Sequence, residues 1–203
     1  MRRTTKALGL LVGTALTMGT LMGAAGTANA VTEPGVDASA VQYAGEKVLP
    51  HDYQVQQTGY WCSAAAAHIA LSVRGKSVSQ GELARYMHVD GNGLPNINNL
   101  ADALNHYTGS RYYQVKQWGS DAELRQKLTA DVQYNVDRGH AVVINVVRIG
   151  SAHFPGGHYA TIVGYRAGGG EFAIADPASA SRQLIWLSAG DVAGGIKLHR
   201  YVA

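Results

Sequence analysis

Cys62 is the only cysteine in the sequence, and it stands in the stretch Gln56-Gln57-Thr58-Gly59-Tyr60-Trp61-Cys62-Ser63-Ala64-Ala65-Ala66-Ala67-His68. A thiol attacks a carbonyl as its thiolate, and a free cysteine, with a pKa of about 8.5, is mostly protonated at neutral pH. Two devices favour the anion: a helix N-terminus, through its amides and dipole, and an adjacent imidazolium. The small residues after Cys62 read as the start of a helix, which supplies the first device. For the second there are eight histidines: His51, His68, His88, His106, His140, His153, His158 and His199. His68 lies six residues along the same helix, a spacing that turns it well away from Cys62. His158, in Gly156-Gly157-His158-Tyr159-Ala160-Thr161-Ile162-Val163-Gly164-Tyr165, opens a strand behind two glycines that let another backbone or a substrate come close. A histidine taken alone is more often structural than catalytic, so the choice rests on the company it keeps.

A working thiol is the more telling because the chain carries the marks of export. Arg2, Arg3 and Lys6 form a basic start, an apolar stretch runs from Leu8 to about Met22, and Ala28-Asn29-Ala30 is a small-x-small cleavage site. Residues 1–30 are therefore read as a signal peptide, with a mature chain beginning at Val31. The Arg2-Arg3 pair admits a twin-arginine route, although the residues after it match that pattern poorly. The expected location is outside the cell or at the cell wall, where cysteines usually pair as disulfides and a lone one has no partner in its own chain. No membrane attachment is expected once the signal is removed.

Charge excludes a further class. The chain counts 17 basic against 14 acidic residues, and the signal holds three of the basic ones, so the mature chain balances at fourteen of each. Nothing basic remains to suggest nucleic acid as a partner. About 170 mature residues suffice for one domain with a real core, expected to be a monomer.

The elements that must position the thiol and a histidine follow from periodicity and caps. Residues 31–49 are small, polar and weakly periodic, a linker or pro-segment, and residues 50–203 form the domain. Helices are predicted over residues 62–73, from Ser79 as cap with Glu82 three residues on, over 96–107, and over 121–137. Short strands are predicted at 111–115, 158–165, 171–176, 184–187 and 197–202. Residues 141–147 form a continuous β-branched run typical of a buried strand. Helices gather in the first half and antiparallel strands in the second, which is an α+β fold.

Taken together, Gln56 before Cys62, the Tyr-Trp-Cys helix start, the Gly-His-Tyr strand and the Ala175-Asp176-Pro177 turn resemble the papain-like cysteine peptidases. Within that group the chain is similar to the stand-alone, secreted actinobacterial members of the bacteriocin-leader peptidases, family thirty-nine in its "like" branch. The likeness runs from about Gln54 to Tyr201 and includes Ser79-Gln80-x-x-Leu83-Ala84 and Ala103-Leu104-Asn105. It departs directly after the cysteine, where relatives usually carry Gly-Pro and this chain has Ser63-Ala64. The resemblance implies a papain-like fold with N-terminal helices packed on a C-terminal antiparallel sheet. It also implies Cys62 as nucleophile, His158 as general base and acid, Asp176 as the residue orienting the imidazole, and Gln56 as the oxyanion-hole side chain. The substrate would be a peptide or protein, with no cofactor and no metal. Two alternatives stand beside it: a peptidoglycan-cleaving Cys-His amidase, and a catalytically silent binding module on the same scaffold.

Geometry adds one expectation. His158 and Asp176 share a face of one hairpin if the loop between them holds an odd number of residues, centred on Ala167 or Gly168; an even loop would send Asp176 to the other face. Other motifs receive plain readings. Asp90-Gly91-Asn92-Gly93 is a loop, because Leu94 and Pro95 break calcium-ligand spacing, Gly168-Gly169-Gly170 is a turn, and His153 with His158 lacks a convincing third zinc ligand.

Overall fold

The unbroken apolar run at residues 141–147 becomes a strand whose sheet is covered on both faces. In the computed structural model, which describes residues 45–203, Val143 joins one buried cluster with Tyr159, Val163, Ala173 and Ala175. Its neighbours Val142 and Ile144 join a second with Ala160, Ile162, Phe172 and Ile174. Successive side chains of a strand point to opposite faces, so a sheet buried on both sides loses the polar alternation. The signal peptide and most of the 31–49 stretch lie outside the described residues.

Three helices cover the first face: α1 (Cys62–Ser72), α2 (Gln80–Tyr86) and α3 (Ile97–Thr108). Their ends follow the expected signals. Ser79 caps α2 by accepting from the Glu82 amide, Asn96 caps α3 through the Asn98 amide, and Gly109 closes α3 in the left-handed conformation. The second face is covered by α4 (Asp121–Asp137), capped by Ser120, and by the short α5 (Ala189–Gly195). Helices packed on an antiparallel sheet make this the α+β arrangement expected from the sequence.

The described residues form a seven-stranded antiparallel sheet. Its strands are β1 (Lys47–Val48), β2 (Val115–Gln117), β3 (Val142–Ile149), β4 (Ala152–Arg166), β5 (Glu171–Ala175), β6 (Ile185–Ser188) and β7 (Ile196–Val202). The order is β2-β7-β3-β4-β5-β6, with β1 pairing the far end of β4 through Lys47 opposite Tyr165 and Val48 opposite Gly164. The domain thus begins inside the stretch read as linker or pro-segment: Lys47 and Val48 pair, and Leu49 is buried.

Two strands differ from expectation. The strand read at 111–115 starts later, because the Asn105 side chain takes both the Tyr113 amide and the Tyr113 carbonyl, each at 2.8 Å, and removes them from any ladder. Pairing begins at Gln114, whose amide and carbonyl meet Ala203. His158 does not open its strand either. β4 begins at Ala152, and residues 154–157 stand out of register opposite β3: Val146 pairs with His158, but Arg148 with His153.

The hairpin register is also corrected. Arg166 pairs with Glu171, leaving an even loop of 167–170 with a 3-10 turn at Ala167–Gly169. A one-residue bulge at Val163 compensates, because Gly164 faces Ala173 while Ile162 faces Ile174. The residues beyond the bulge recover the parity of a loop centred on Gly168.

Candidate active site

Cys62 is the first residue of α1, and the helix presents it to the sheet because Ala64, Ala65, Ala66 and Ala67 are all fully buried. Side chains this small let the helix axis approach β4 closely, and Thr161 Oγ1 donates to the Ala66 carbonyl at 2.9 Å across that interface. The residue before the helix, Trp61, makes no side-chain cap, so no side chain occupies the first amides of α1. Its indole lies against α2, 3.6 Å from where a Cβ at Gly81 would stand. Cys62 itself is half-buried and unpaired.

His158 sits on β4 immediately after the out-of-register residues, 4 % exposed. Its Nε2 lies 2.6 Å from Asp176 Oδ1, which leaves Nδ1 as the nitrogen available to Cys62. Phe154 stacks on the ring with centroids 4.2 Å apart and planes 18° from parallel. Burial pulls the His158 pKa down, but hydrogen bonding and charge from Asp176 and Cys62 outweigh it and raise the pKa to about 9.

Asp176 is fully buried. Burial alone would raise its pKa; the bonds from His158, the Ala178 amide and Arg182 reverse that and hold the carboxyl below its ordinary range. Oδ1 accepts from the Ala178 amide at 3.0 Å, and Oδ2 accepts from Arg182 Nε. Arg182 also donates to the Ile149 carbonyl at 3.2 Å. The turn that carries Asp176 is stapled to the segment before α1. Tyr53 Oη donates to the carbonyls of Asp176 and Ser179, at 2.8 and 2.6 Å, and the Gln56 amide donates to the Pro177 carbonyl at 2.9 Å.

Gln56 lines the cleft beside Cys62 and His158, whereas Gln57 is exposed. One N–H of the Gln56 carboxamide donates to the Thr58 carbonyl at 2.8 Å, and Oε1 is buried without a partner. The segment is held from below by Gln80, fully buried at the first turn of α2. Its Oε1 accepts from the Gln57 amide at 3.0 Å, and its Nε2 donates to the Val55 carbonyl at 2.9 Å and to Gln54 Oε1 at 3.3 Å.

The structure therefore brings together all four residues singled out in the sequence: Cys62, His158, Asp176 and Gln56. It adds three that were missed: Phe154, Arg182 and, in its role as clamp, Gln80. Nothing in their spacing announces these roles: Phe154 reaches the site through the irregular part of β4, Arg182 through the turn after Asp176, and Gln80 from the first turn of α2. His68 points elsewhere, with Nδ1 2.7 Å from the Val78 carbonyl and Nε2 3.1 Å from Asp52. Among the described residues no group of three or more His, Cys, Asp or Glu is arranged to hold a metal, and no helix is long and apolar enough to cross a membrane.

The profile of the Peptidase_C39 like family matches residues 48–193. The chain belongs to that family. No curated protein matches it. Among solved structures, the peptidase domain of Streptococcus ComA, a bi-functional ABC transporter involved in quorum sensing, is 13 % identical with a TM-score of 0.52; the match covers 76 % of this chain and 97 % of that one. A C39-like peptidase from Bacillus anthracis matches at 14 % identity and TM-score 0.53, over 78 % of this chain and 96 % of its own. A double-glycine-motif protease from an AMS/PCAT transporter, solved with its leader peptide, gives the same figures. These likenesses carry the papain-like C39 peptidase fold.

Proposed function

We propose that this C39-like chain is an exported cysteine peptidase in which Cys62 is the nucleophile. His158 is the general base and acid, Asp176 orients the imidazole, and Gln56 with the Cys62 amide forms the oxyanion hole. The observation that carries the reading is the commitment of His158 Nε2 to a buried carboxylate beside the lone thiol, which leaves Nδ1 for proton transfer. A thiolate–imidazolium pair, at a helix start with uncapped amides, is the arrangement that nucleophilic catalysis needs.

In this mechanism Cys62 Sγ forms a bond to the scissile carbonyl carbon, and the π electrons move to oxygen. The resulting oxyanion accepts from the Cys62 N–H and from the second N–H of the Gln56 carboxamide. The C–N bond then breaks as His158 Nδ1 gives its proton to the departing amine, leaving a thioester. Neutral His158 takes a proton from water as the hydroxyl adds to the acyl carbon. The C–S bond breaks, the acid is released and the thiolate–imidazolium pair is restored. Asp176 keeps Nε2 protonated throughout and stabilises the imidazolium.

The test is digestion of an unbiased peptide library beside purified peptidoglycan by the mature chain and by Cys62→Ala. Peptide cleavage lost in the variant supports the reading. Cleavage of peptidoglycan alone would replace it with the amidase, and cleavage of neither would leave a silent module. Recovery of the mature chain beginning at Val31 from culture medium tests export.

A further inference from the structure

Across Cys62 from the groove that holds His158 and Gln56 lies a second cavity of about 270 Å³. It is built by an irregularity in β7. Tyr201 pairs with Ile144 but Ile196 with Val146, so residues 197–200 bow out opposite Asn145. At the crest Leu198 and His199 are consecutive non-glycine residues at φ 56° and 50°. The left-handed region opposes any side chain with a Cβ, and such conformations persist where surrounding structure imposes them, commonly at functional sites. The crest is held by the Trp118 amide, which donates to the His199 carbonyl at 3.1 Å.

The bow turns Lys197 and Arg200 into the cavity, and none of its lining residues is acidic. Among the described residues neither cation has a carboxylate partner; the nearby acid Asp121 is engaged by His199 at 2.8 Å. Lys197 Nζ donates only to the Gly156 carbonyl, at 3.0 Å. Arg200 Nε is a buried donor with no hydrogen-bond partner; Asn145 Oδ1 is also without one, but as an acceptor it calls for an N–H and not for an anion. Buried polar groups are ordinarily satisfied, and a charged donor left without a partner beside a second cation bonds most strongly to an anionic acceptor. Leu94, Pro95 and Ile97 supply an apolar wall for a short methylene stem.

The reaction fixes which half of the substrate enters. The departing amine must take its proton from His158, so the leaving half occupies the groove of His158, and the acyl half crosses Cys62 into the cavity of Lys197 and Arg200. We propose that this cavity is a specificity subsite for an acidic side chain, Asp or Glu, on the acyl side of the scissile bond. The proposal rests on the peptidase reading, and its test is arranged to separate the two.

The first arm measures kcat/KM on quenched peptides carrying Glu, Asp, Gln, Ala or Lys at each acyl-side position. Glu or Asp is expected to exceed Gln at one position by about tenfold or more, the size of one hydrogen bond to a charged group. That preference falls in Lys197→Gln and Arg200→Gln and turns toward Lys in Lys197→Glu. Thermal melting confirms folding, and Lys197→Gln retains a donor for the Gly156 carbonyl. Peptide cleavage without acidic preference, or with a preference that all three variants keep, overturns the subsite and leaves the peptidase. The second arm needs no turnover: the ratio of Cys62 alkylation rates with iodoacetate and iodoacetamide is expected to fall severalfold in Lys197→Gln/Arg200→Gln. If no peptide is cleaved, a fallen ratio upholds the anion site while the peptidase reading fails, and an unchanged ratio removes both.

Discussion

His158 Nε2 stands 2.6 Å from Asp176 Oδ1, although the two residues are not opposite one another in the sheet. Thr161 faces Ala175 and Ile162 faces Ile174, so continuing the ladder puts Asp176 opposite Ala160 and diagonal to His158. Diagonal neighbours on one face lie within reach of long or aromatic side chains. The contact survives an even-numbered loop only because the bulge at Val163 restores the parity that the loop upsets.

Replacing Asp176 with Asn separates orientation from charge. The amide oxygen still accepts from Nε2, but the anion that helps raise His158 to about 9 is gone. The alkaline limb of kcat/KM is therefore expected near pH 9 in the parent and lower, toward 6.5, in Asp176→Asn. Asp176→Ala, which removes both effects, should retain less activity than Asp176→Asn. An alkaline limb that stays in place in Asp176→Asn would show that the carboxylate does not set the charge state of His158.

Stability should carry the same signature. A base whose folded pKa is raised above its unfolded value contributes stability fully present below pH 6.5, which is lost as pH rises through about 9. The pH dependence of the thermal midpoint across that window is expected to flatten in His158→Gln. An unchanged slope would assign the loss to other groups.

Cys62 should behave as a solvent-reachable thiol activated by His158. Alkylation by iodoacetamide near pH 6 is expected to outpace that of a free thiol and to collapse in His158→Ala. Labelling that occurs only after denaturation would make it a core thiol.

Of the two adjacent glutamines, only Gln56 faces the cleft. Gln56→Ala is expected to lower kcat by roughly a hundredfold or more, as for other oxyanion donors, and Gln57→Ala to change it little. Gln80→Leu, which unclamps residues 54–57, should lower kcat in the same direction. Steady-state kinetics on any cleaved peptide decides the ranking, and a larger loss in Gln57→Ala would exchange their roles.

Arg182 holds the second oxygen of a fully buried carboxylate. Arg182→Met is expected to destabilise the fold by about 1–3 kcal/mol, because Oδ2 of the buried carboxylate loses its charged donor while Oδ1 keeps His158 and the Ala178 amide. The loss should shrink in an Asp176→Asn background. A double-mutant cycle by urea unfolding measures this, and additive losses would mean that the pair does not interact.

Cys62 was legible because it is the only cysteine in the sequence, whereas His158, Asp176 and Gln56 were legible only together, through the resemblance their order around Cys62 carries. The start of α2 was legible because Ser79, with Glu82 three residues on, marks it locally, whereas the caps Asn96 and Ser120 are supplied by the structure. What escaped the sequence depends on how strands slip past one another. Phe154 reaches the imidazole, and Lys197 and Arg200 reach their cavity, only where β4 and β7 fall out of step with β3. No periodicity encodes that slip. Arg182 is equally silent, arriving through a turn whose path is set by Tyr53 and Asp176.

The four consecutive buried alanines of α1 have a consequence for how this chain can change over time. Successive helix positions lie about 100° apart, so those of the four that turn toward β4 act as a spacer of fixed thickness between α1 and the strand that bears the imidazole. A larger side chain there costs roughly 1–3 kcal/mol if the helix stays put. If the helix instead lifts, Cys62 travels with it as one body, away from His158. Such a variant would keep its fold and lose its chemistry. Substitutions in this stretch are therefore expected to be inherited in matched pairs, with growth on the helix answered by shrinkage on β4, and a designer who wishes to retune the reacting pair would have to edit both sides of that boundary at once.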